Sequence, residues 1–284
     1  MAVAYAAVVE RRWLHVVMQR IAVAHLPPEW AGMRLAHLSD LHLGSPGAPY
    51  GTMRYAVARI VALRPDLIAL TGDFTENGNP QPLDFLAPLV RTAPTFAVLG
   101  NHDYFISPRA ADAIAAELRA VGIHVLRNTA VPFTFRGVTA PIAGFDDALS
   151  GPGADVRGVV ALAPDGVPLV LAHQPDLVDA FPSRWAGLTL SGHTHAAQVR
   201  LSPLRRLDWP SLGLTGMYSR YLRGYFRVRG NGLYVNRGLG TARWPLRFFA
   251  RPELTHFVLR RRRPAAGHNP FMPPRRKTAP VSER

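Results

Sequence analysis

Cysteine is absent from this 284-residue chain, which excludes a disulfide framework and any Cys-ligated zinc site. Metal ligands, if there are any, must come from His, Asp, Glu and Asn. Lysine is almost absent too, with Lys277 its sole occurrence, so the basic character is that of arginine. No apolar run approaches the roughly 20 residues needed to span a bilayer. The apolar opening Met1 to Val9 stops at Glu10-Arg11-Arg12 and lacks the charged region that precedes the core of a secretory signal. Acidic residues are scarce in one part of the chain. Residues 200–284 carry 19 Arg or Lys against three acids (Asp208, Glu253, Glu283), whereas the first 199 carry 14 basic and 16 acidic groups. The net charge of +14 therefore belongs to the carboxy-terminal third and not to a nucleic-acid-binding body. With 48% apolar residues the chain is long enough for one domain with a full core.

What the chain does have is five apolar runs that end in metal-ligand residue types. Leu35 to Ser39 runs into Asp40 and His42, and Leu67 to Gly72 into Asp73. Phe96 to Gly100 delivers Asn101, His102 and Asp103, Leu169 to Ala172 delivers His173, and Leu188 to Gly192 delivers His193 and His195. In open α/β sheets ligands bind at the carboxyl ends of strands, so five such ends converge on one crevice.

The intervening pattern reads as βαβ units. Helical spacing appears over Tyr50 to Leu63, Pro82 to Val90 and Pro108 to Val121. Prolines at the start of the last two suit a first-turn position, where the missing N–H costs nothing. Beyond Gly122 short runs separated by Gly, Pro and Asp predict strands at 123–126, 131–135, 138–144, 168–172, 187–191, 198–201, 224–228, 233–236 and 254–259, with 146–164 as an irregular surface loop. Residues 1–30 read as an amino-terminal connector, 31–263 as the domain and 264–284, proline-rich and poor in apolar groups, as a disordered basic tail.

The residue types specify a chemistry. Asp40 and His42, two apart, can reach one cation from a single strand end, and a carboxylate such as Asp73 has two oxygens with which to bridge two cations. Asn101 adds a neutral oxygen, and His173, His193 and His195 add nitrogens. Seven N and O ligands without sulfur suit Mn²⁺, Fe, Zn²⁺ or Co²⁺ better than Ca²⁺. Two such ions about 3.5–4 Å apart can activate water and clamp the oxygens of a phosphoryl group. His102, left over beside Asp103, is available to protonate a leaving oxygen or stabilise developing charge. Histidines without such company (His15, His25, His37, His124, His256, His268) read as structural.

Gly72-Asp73, Gly100-Asn101-His102-Asp103 and Gly192-His193-Thr194-His195, with Asp40-Leu41-His42 before them and His173 between, resemble the five-block signature of calcineurin-like metallophosphoesterases over roughly residues 34–260. The resemblance implies an α/β fold of the four-layer αββα sandwich type. It implies one metal on Asp40, His42, Asp73 and His195, a second on Asp73, Asn101, His173 and His193, and His102 as catalytic histidine assisted by Asp103. Glu10-Arg11-Arg12-Trp13, Gln198-Val199, Asn236 to Gly240, Pro245-Leu246-Arg247 and Arg251-Pro252-Glu253 are similar to a bacterial, often membrane-associated branch that includes UDP-2,3-diacylglucosamine hydrolases. That branch usually has glycine where Ala196 and Ala197 stand, and commonly a hydrophobic anchor before the domain. Gly72-Asp73-Phe74-Thr75-Glu76-Asn77-Gly78 departs from the extended form in protein Ser/Thr phosphatases, which disfavours a phosphoprotein substrate.

The resulting expectation is a dinuclear phosphohydrolase acting on a phosphorylated small molecule or lipid, with two divalent ions (Mn²⁺, Fe or Zn²⁺) as cofactors. A nuclease or cyclic-nucleotide phosphodiesterase would share every ligand, and a membrane-surface module with a vestigial site is the non-enzyme alternative. The segment Trp209 to Phe226 reads either as a substrate flap, with Arg220, Arg223 and Tyr218 as substrate-binding residues, or as an ordinary loop. The basic carboxy-terminal region could hold anionic lipid at about 1 kcal/mol per residue, or stay solvated. No nucleic acid and no obligate protein partner is expected, and the expected location is the cytoplasm, with peripheral attachment to the inner membrane face as the membrane-bound form.

Overall fold

The computed structural model describes residues 1–200 and 219–262. Two six-stranded sheets pack face to face. The first has the order β1 (His15–Val23), β12 (Glu253–Arg261), β2 (Arg34–Leu38), β3 (Leu67–Thr71), β4 (Thr95–Val98), β5 (His124–Val125). The second runs β10 (Gly224–Val228), β11 (Asn231–Val235), β9 (Ala186–Ser191), β8 (Val167–Leu171), β7 (Val138–Gly144), β6 (Thr129–Phe135). Strands β2, β3 and β4 are mutually parallel, as are β7, β8 and β9. Their near-continuous apolar runs, rather than alternating ones, are what a strand buried on both faces requires.

The apolar faces account for the layers. Leu35, Leu67, Ala69, Phe96 and Val98 meet Ile142, Leu169, Leu171, Leu188 and Leu190 between the sheets. Trp30 closes one side of this interior, its ring edge-on to Phe133 at 5.4 Å and its Nε1–H donating to the Val138 carbonyl. The opposite face of the first sheet is covered by α2 (Tyr50–Leu63) and α4 (Pro108–Val121), through Met53, Ile60, Ile114 and Leu118. The outer face of the second is covered by α5 (Val156–Leu162) and the 3₁₀ turns at Pro175–Ala180, through Val159, Val178 and Phe181. This is the expected four-layer αββα sandwich.

Several expectations need correction. The connector assigned to residues 1–30 contains β1, which pairs in parallel with β12 from His15 to Val23. Its ragged mixture of exposed and half-buried positions is that of an edge strand with one neighbour, which hides the period. Ahead of it come a one-turn helix α1 (Ala2–Ala4) and further turns to Arg12. Helix α3 (Ala87–Thr92) starts later than its expected span, after a 3₁₀ turn at Asp84–Leu86. The supposed loop 146–164 contains α5, whose first turn is capped by the Asp155 side chain accepting from the Gly158 N–H. Residues 198–200 form only an isolated bridge, Val199 with Phe248, because Ala196, Ala197 and Gln198 have φ of +52°, +63° and +54°. Left-handed backbone at two alanines gives a physical reason for the glycines usual in the resembled branch. The tail 264–284 and the segment 209–218 lie outside the described residues.

Topology also separates the two termini. Strand β12 runs antiparallel to β2, so Thr255 faces His37 near the ligand-bearing end while Val258 faces Arg34 at the other. Arg260 to Arg262 therefore leave the sheet at the end opposite Asp40. The amino-terminal turns lie at the ligand end, where Arg247 N–H donates to the Ala6 carbonyl and Arg11 to that of Gly47. Among the described residues no helix is long and apolar enough to cross a membrane.

One buried histidine makes the fold acid-sensitive. His37 is fully buried in β2, its Nε2–H donating to Thr71 Oγ1 at 2.8 Å, and burial holds its pKa down to about 3. The unfolded chain takes up a proton there near pH 6.5. The folded pKa is the lower one, so His37 costs nothing above that pH and removes stability as pH falls below it, at about 1.4 kcal/mol per unit. His37→Gln, which keeps an N–H for Thr71, is expected to flatten the decline in urea-unfolding free energy between pH 7 and pH 5 by about 2 kcal/mol. Equal slopes in the two proteins would remove His37 from this role.

Candidate metal centre

The carboxyl ends of β2, β3 and β4 and those of β8 and β9 open on the same side, and the loops that follow are tied together across the sandwich. His193 N–H donates to Asp40 Oδ1 at 2.9 Å, and His173 Nδ1–H donates to the Thr71 carbonyl at 2.8 Å. The second bond fixes the His173 tautomer so that Nε2 faces inward. Within the first sheet Asp40 N–H donates to the Gly72 carbonyl and His42 N–H to that of Asp73.

Glycine precedes three of the ligand positions because the strands converge too closely for a side chain. A Cβ on Gly192 would fall 1.8 Å from Ser39 Oγ, and one on Gly100 would fall 2.2 Å from Asp73 Oδ1. The candidate ligands themselves take the conformational burden: Asp40, His42, Asp73, His193 and His195 all have φ between +47° and +69°. Such backbone costs of order 1 kcal/mol or more per residue and persists where the surroundings over-determine it.

Three groups of donor atoms result, of which His42, Glu76 and His102 form one and the other two share a residue. Asp40, His42, Asp73 and His195 bring ligand atoms within 4.8 Å of one another, and so do Asp73, His173 and His193. His42 Nε2 and His195 Nε2 lie 2.8 Å apart, and Asp73 Oδ2 is 3.4 Å from His42 Nε2 and 3.2 Å from His173 Nε2. Asp73 is thus common to both groups. Nearby, Asn101 Oδ1 is buried with no hydrogen-bond partner among the described residues. A buried acceptor without a donor costs about 1–3 kcal/mol, and a cation would satisfy it.

The electrostatics fit divalent cations. Burial and the neighbouring His173 push His193 down to about 3, and burial with His42 and Arg247 holds His195 well below its ordinary value, so both rings keep lone pairs. Burial opposes ionisation of Asp73, but His173 and His102 outweigh it and hold the carboxyl well below the usual range. Burial likewise pulls His173 down, and Asp73, Asp40 and Asp147 overcome it to raise the ring to about 10. A metal ion would displace that proton. The donor set therefore fits two metal ions that share Asp73.

His102 stands beside this set. Its N–H donates to Asp73 Oδ1 at 2.9 Å, and its Nδ1–H donates to the Glu76 carbonyl at 2.5 Å, which leaves Nε2 free. Burial lowers its pKa, but Asp73, the Glu76 carbonyl and the Glu76 carboxylate outweigh that and leave it above the ordinary value. The carboxylate of Asp103 makes different contacts from those expected. It accepts from the Gly100 and Thr75 N–H groups at 2.9 and 3.0 Å, bracing the loops after β3 and β4, while the partner of the His102 ring is Glu76.

Of the expected substrate-binding residues, Tyr218 lies outside the described residues. Arg220 is paired with Asp179 and lies 3.9 Å from Asp176, so its charge is already matched. The segment bearing Arg220 and Arg223 does border the site, since Thr194 Oγ1 donates to the Leu222 carbonyl at 2.6 Å.

Sequence reasoning missed three contributors. Glu76 accepts from His42 Nδ1 at 2.5 Å, and its place three residues after Asp73 in the same loop was the available signal. Arg247, fully buried, donates to the Gly240 and Ala250 carbonyls, and its Nη2 lies 3.3 Å from His195 Nδ1. Strand β7 is a sixth ligand-side end: it delivers Asp146, which accepts from Tyr104 and Arg127, and Asp147, which accepts from Gln174 beside His173.

Residues 33–197 match the family described as calcineurin-like phosphoesterase. The chain is similar to the metallophosphoesterase YkuE of Bacillus subtilis, with 30% identity over 266 residues covering 90% of this chain and 89% of that one. It is 32% identical over 254 residues to the phosphodiesterase YaeI of Escherichia coli, covering 88% and 90%. It is also 30% identical over 262 residues to a protein of Danio rerio named as a transmembrane protein with metallophosphoesterase domain, covering 86% of this chain and 57% of that one.

Proposed function

The chain belongs to the calcineurin-like phosphoesterase family and is a metal-dependent hydrolase, and we propose that it cleaves the phosphodiester or pyrophosphate bond of a lipid-linked or nucleotide-sugar substrate, of which UDP-2,3-diacylglucosamine is an example. The observation that carries the reaction class is the pair of donor groups sharing Asp73. On this reading Asp40, His42, Asp73 and His195 hold one ion, and Asp73, Asn101, His173 and His193 the other. Divalent ions bound there supply Lewis acidity and bring the pKa of water towards neutrality.

The residues of the chain then do the rest. Asp73 and Glu76 orient His102 so that Nε2 faces the leaving oxygen. As an oxygen of water forms its bond to phosphorus, the bond to the leaving oxygen breaks. The attacking water gives up one proton to solvent, and the leaving oxygen gains one from His102 Nε2. Asp103 keeps the loops after β3 and β4 at fixed separation, so that His102 and Asp73 stay in register.

Support for an apolar group on the substrate comes from the rim, where Phe105 and Trp244 are 72% and 58% exposed. Large aromatics left in water at the mouth of a polar site suit a partly apolar ligand. The test is a panel on the Mn²⁺-loaded protein: UDP-2,3-diacylglucosamine, cyclic nucleotides, single-stranded DNA and bis-p-nitrophenyl phosphate. Highest kcat/KM on the lipid-linked pyrophosphate is expected, and preference for DNA or a cyclic nucleotide would replace this substrate class with the other.

A further inference from the structure

Glu76 organises one wall of the site. Its carbonyl accepts from His102 Nδ1, and its carboxylate accepts from His42 Nδ1 and, through Oε1, from the backbone N–H of Arg243 at 2.8 Å. Arg243 is held there in left-handed backbone at φ +58°. Gln198 fixes the residues on either side: its Oε1 accepts from Ala242 N–H at 2.9 Å, and its Nε2 donates to the Ala242 and Trp244 carbonyls at 3.1 and 2.8 Å. The backbone of Arg243-Trp244 is thus pinned against a metal-ligand loop, yet both side chains are exposed.

The charge of Arg243 is what distinguishes it. Elsewhere in the same closing segment Arg237 pairs with Glu253 at 3.0 Å, Arg247 donates to buried carbonyls, and Arg251 donates to the Trp13 and Leu14 carbonyls. The guanidinium of Arg243 has no partner among the described residues. Against His102 stands Phe105, its ring nearly parallel to the imidazole at 6.2 Å and 15°. An exposed, unpaired arginine adds little to stability, and a left-handed non-glycine corner costs some. Together they make sense as a site for a ligand, and a planar guanidinium matches phosphate oxygens in a forked geometry.

We infer that Arg243 binds a second phosphate of the substrate, adjacent to the one held at the metal centre, and that Trp244 packs on the organic group attached to it. Resting on the phosphohydrolase reading above, this narrows the substrate to pyrophosphate diesters and makes Arg243 a specificity-determining residue.

Two probes with the same aryl groups test it on the Mn²⁺-loaded full chain: bis-p-nitrophenyl phosphate, and di(p-nitrophenyl) pyrophosphate with one phosphate more. Arg243→Gln is expected to raise KM for the pyrophosphate by roughly 10- to 100-fold, the worth of a charged hydrogen bond, with kcat changed much less. The same variant should affect the single-phosphate probe at least about fivefold less, and Arg243→Lys should recover most of the loss. Equal factors on both probes, or no change on either, would overturn the subsite while leaving the phosphohydrolase reading intact. If the unaltered protein cleaves neither probe, that reading falls and the subsite falls with it.

Discussion

Asp73→Asn is expected to lower kcat/KM on bis-p-nitrophenyl phosphate by about 10³-fold or more, and to reduce bound Mn²⁺ from about two ions per chain to one or fewer. Asp73 Oδ2 lies 3.4 Å from His42 Nε2 and 3.2 Å from His173 Nε2, so one oxygen serves both donor groups. Asparagine preserves the size of the side chain and an acceptor for the His102 N–H, which comes from Oδ1 at 2.9 Å. What it removes is the negative charge and the shared oxygen Oδ2. Each is worth several kcal/mol in a buried site, and 1.36 kcal/mol on the barrier is tenfold in rate. Metal analysis and turnover on one preparation check the result. A variant that retained two ions and stayed within about tenfold of the unaltered protein would mean that Asp73 does not bridge.

Arg247→Met is expected to cost about 3–5 kcal/mol of stability, read as a shift in urea midpoint at unchanged slope. The guanidinium is fully buried, and burial lowers its pKa only to about 10, so the charge is retained at neutral pH. Its donors satisfy the carbonyls of Gly240 and Ala250 and touch His195. Methionine fills much of the volume and leaves those carbonyls without donors in a water-excluded place. Lysine is expected to recover only part of the loss, because three donors on one nitrogen do not reproduce the planar fork. A midpoint equal to that of the unaltered protein would show that water takes over these contacts.

The strand ends were legible because burial on both faces forces apolar runs, and because ligands must follow them directly. The same logic failed for β1, whose single neighbour leaves most of its positions exposed or half-buried, and for α5, a seven-residue helix whose apolar residues sit among glycine and aspartate. His102 was recognisable from the residues next to it, whereas its partner was not. Asp103 is its neighbour in sequence, but the backbone turn directs that carboxylate to Gly100 and Thr75, and Glu76 arrives from the β3 loop instead.

The absence of cysteine and the five ligand-bearing runs determined by themselves the donor chemistry and an α/β sheet with ligands at its strand ends, and the motif blocks, through the family they resemble, implied the sandwich and the reaction class. Each depends on residue types at short spacing, and local chain geometry carries that information. Only the tertiary structure decided that Asp73 is common to two donor groups, that Glu76 and Arg247 hold the rings of His42 and His195, that Arg220 is already paired, and that the basic segment leaves the sheet at the end away from Asp40. These are pairings between residues tens to hundreds of positions apart, fixed by sheet order and strand direction, and no spacing along the chain encodes them.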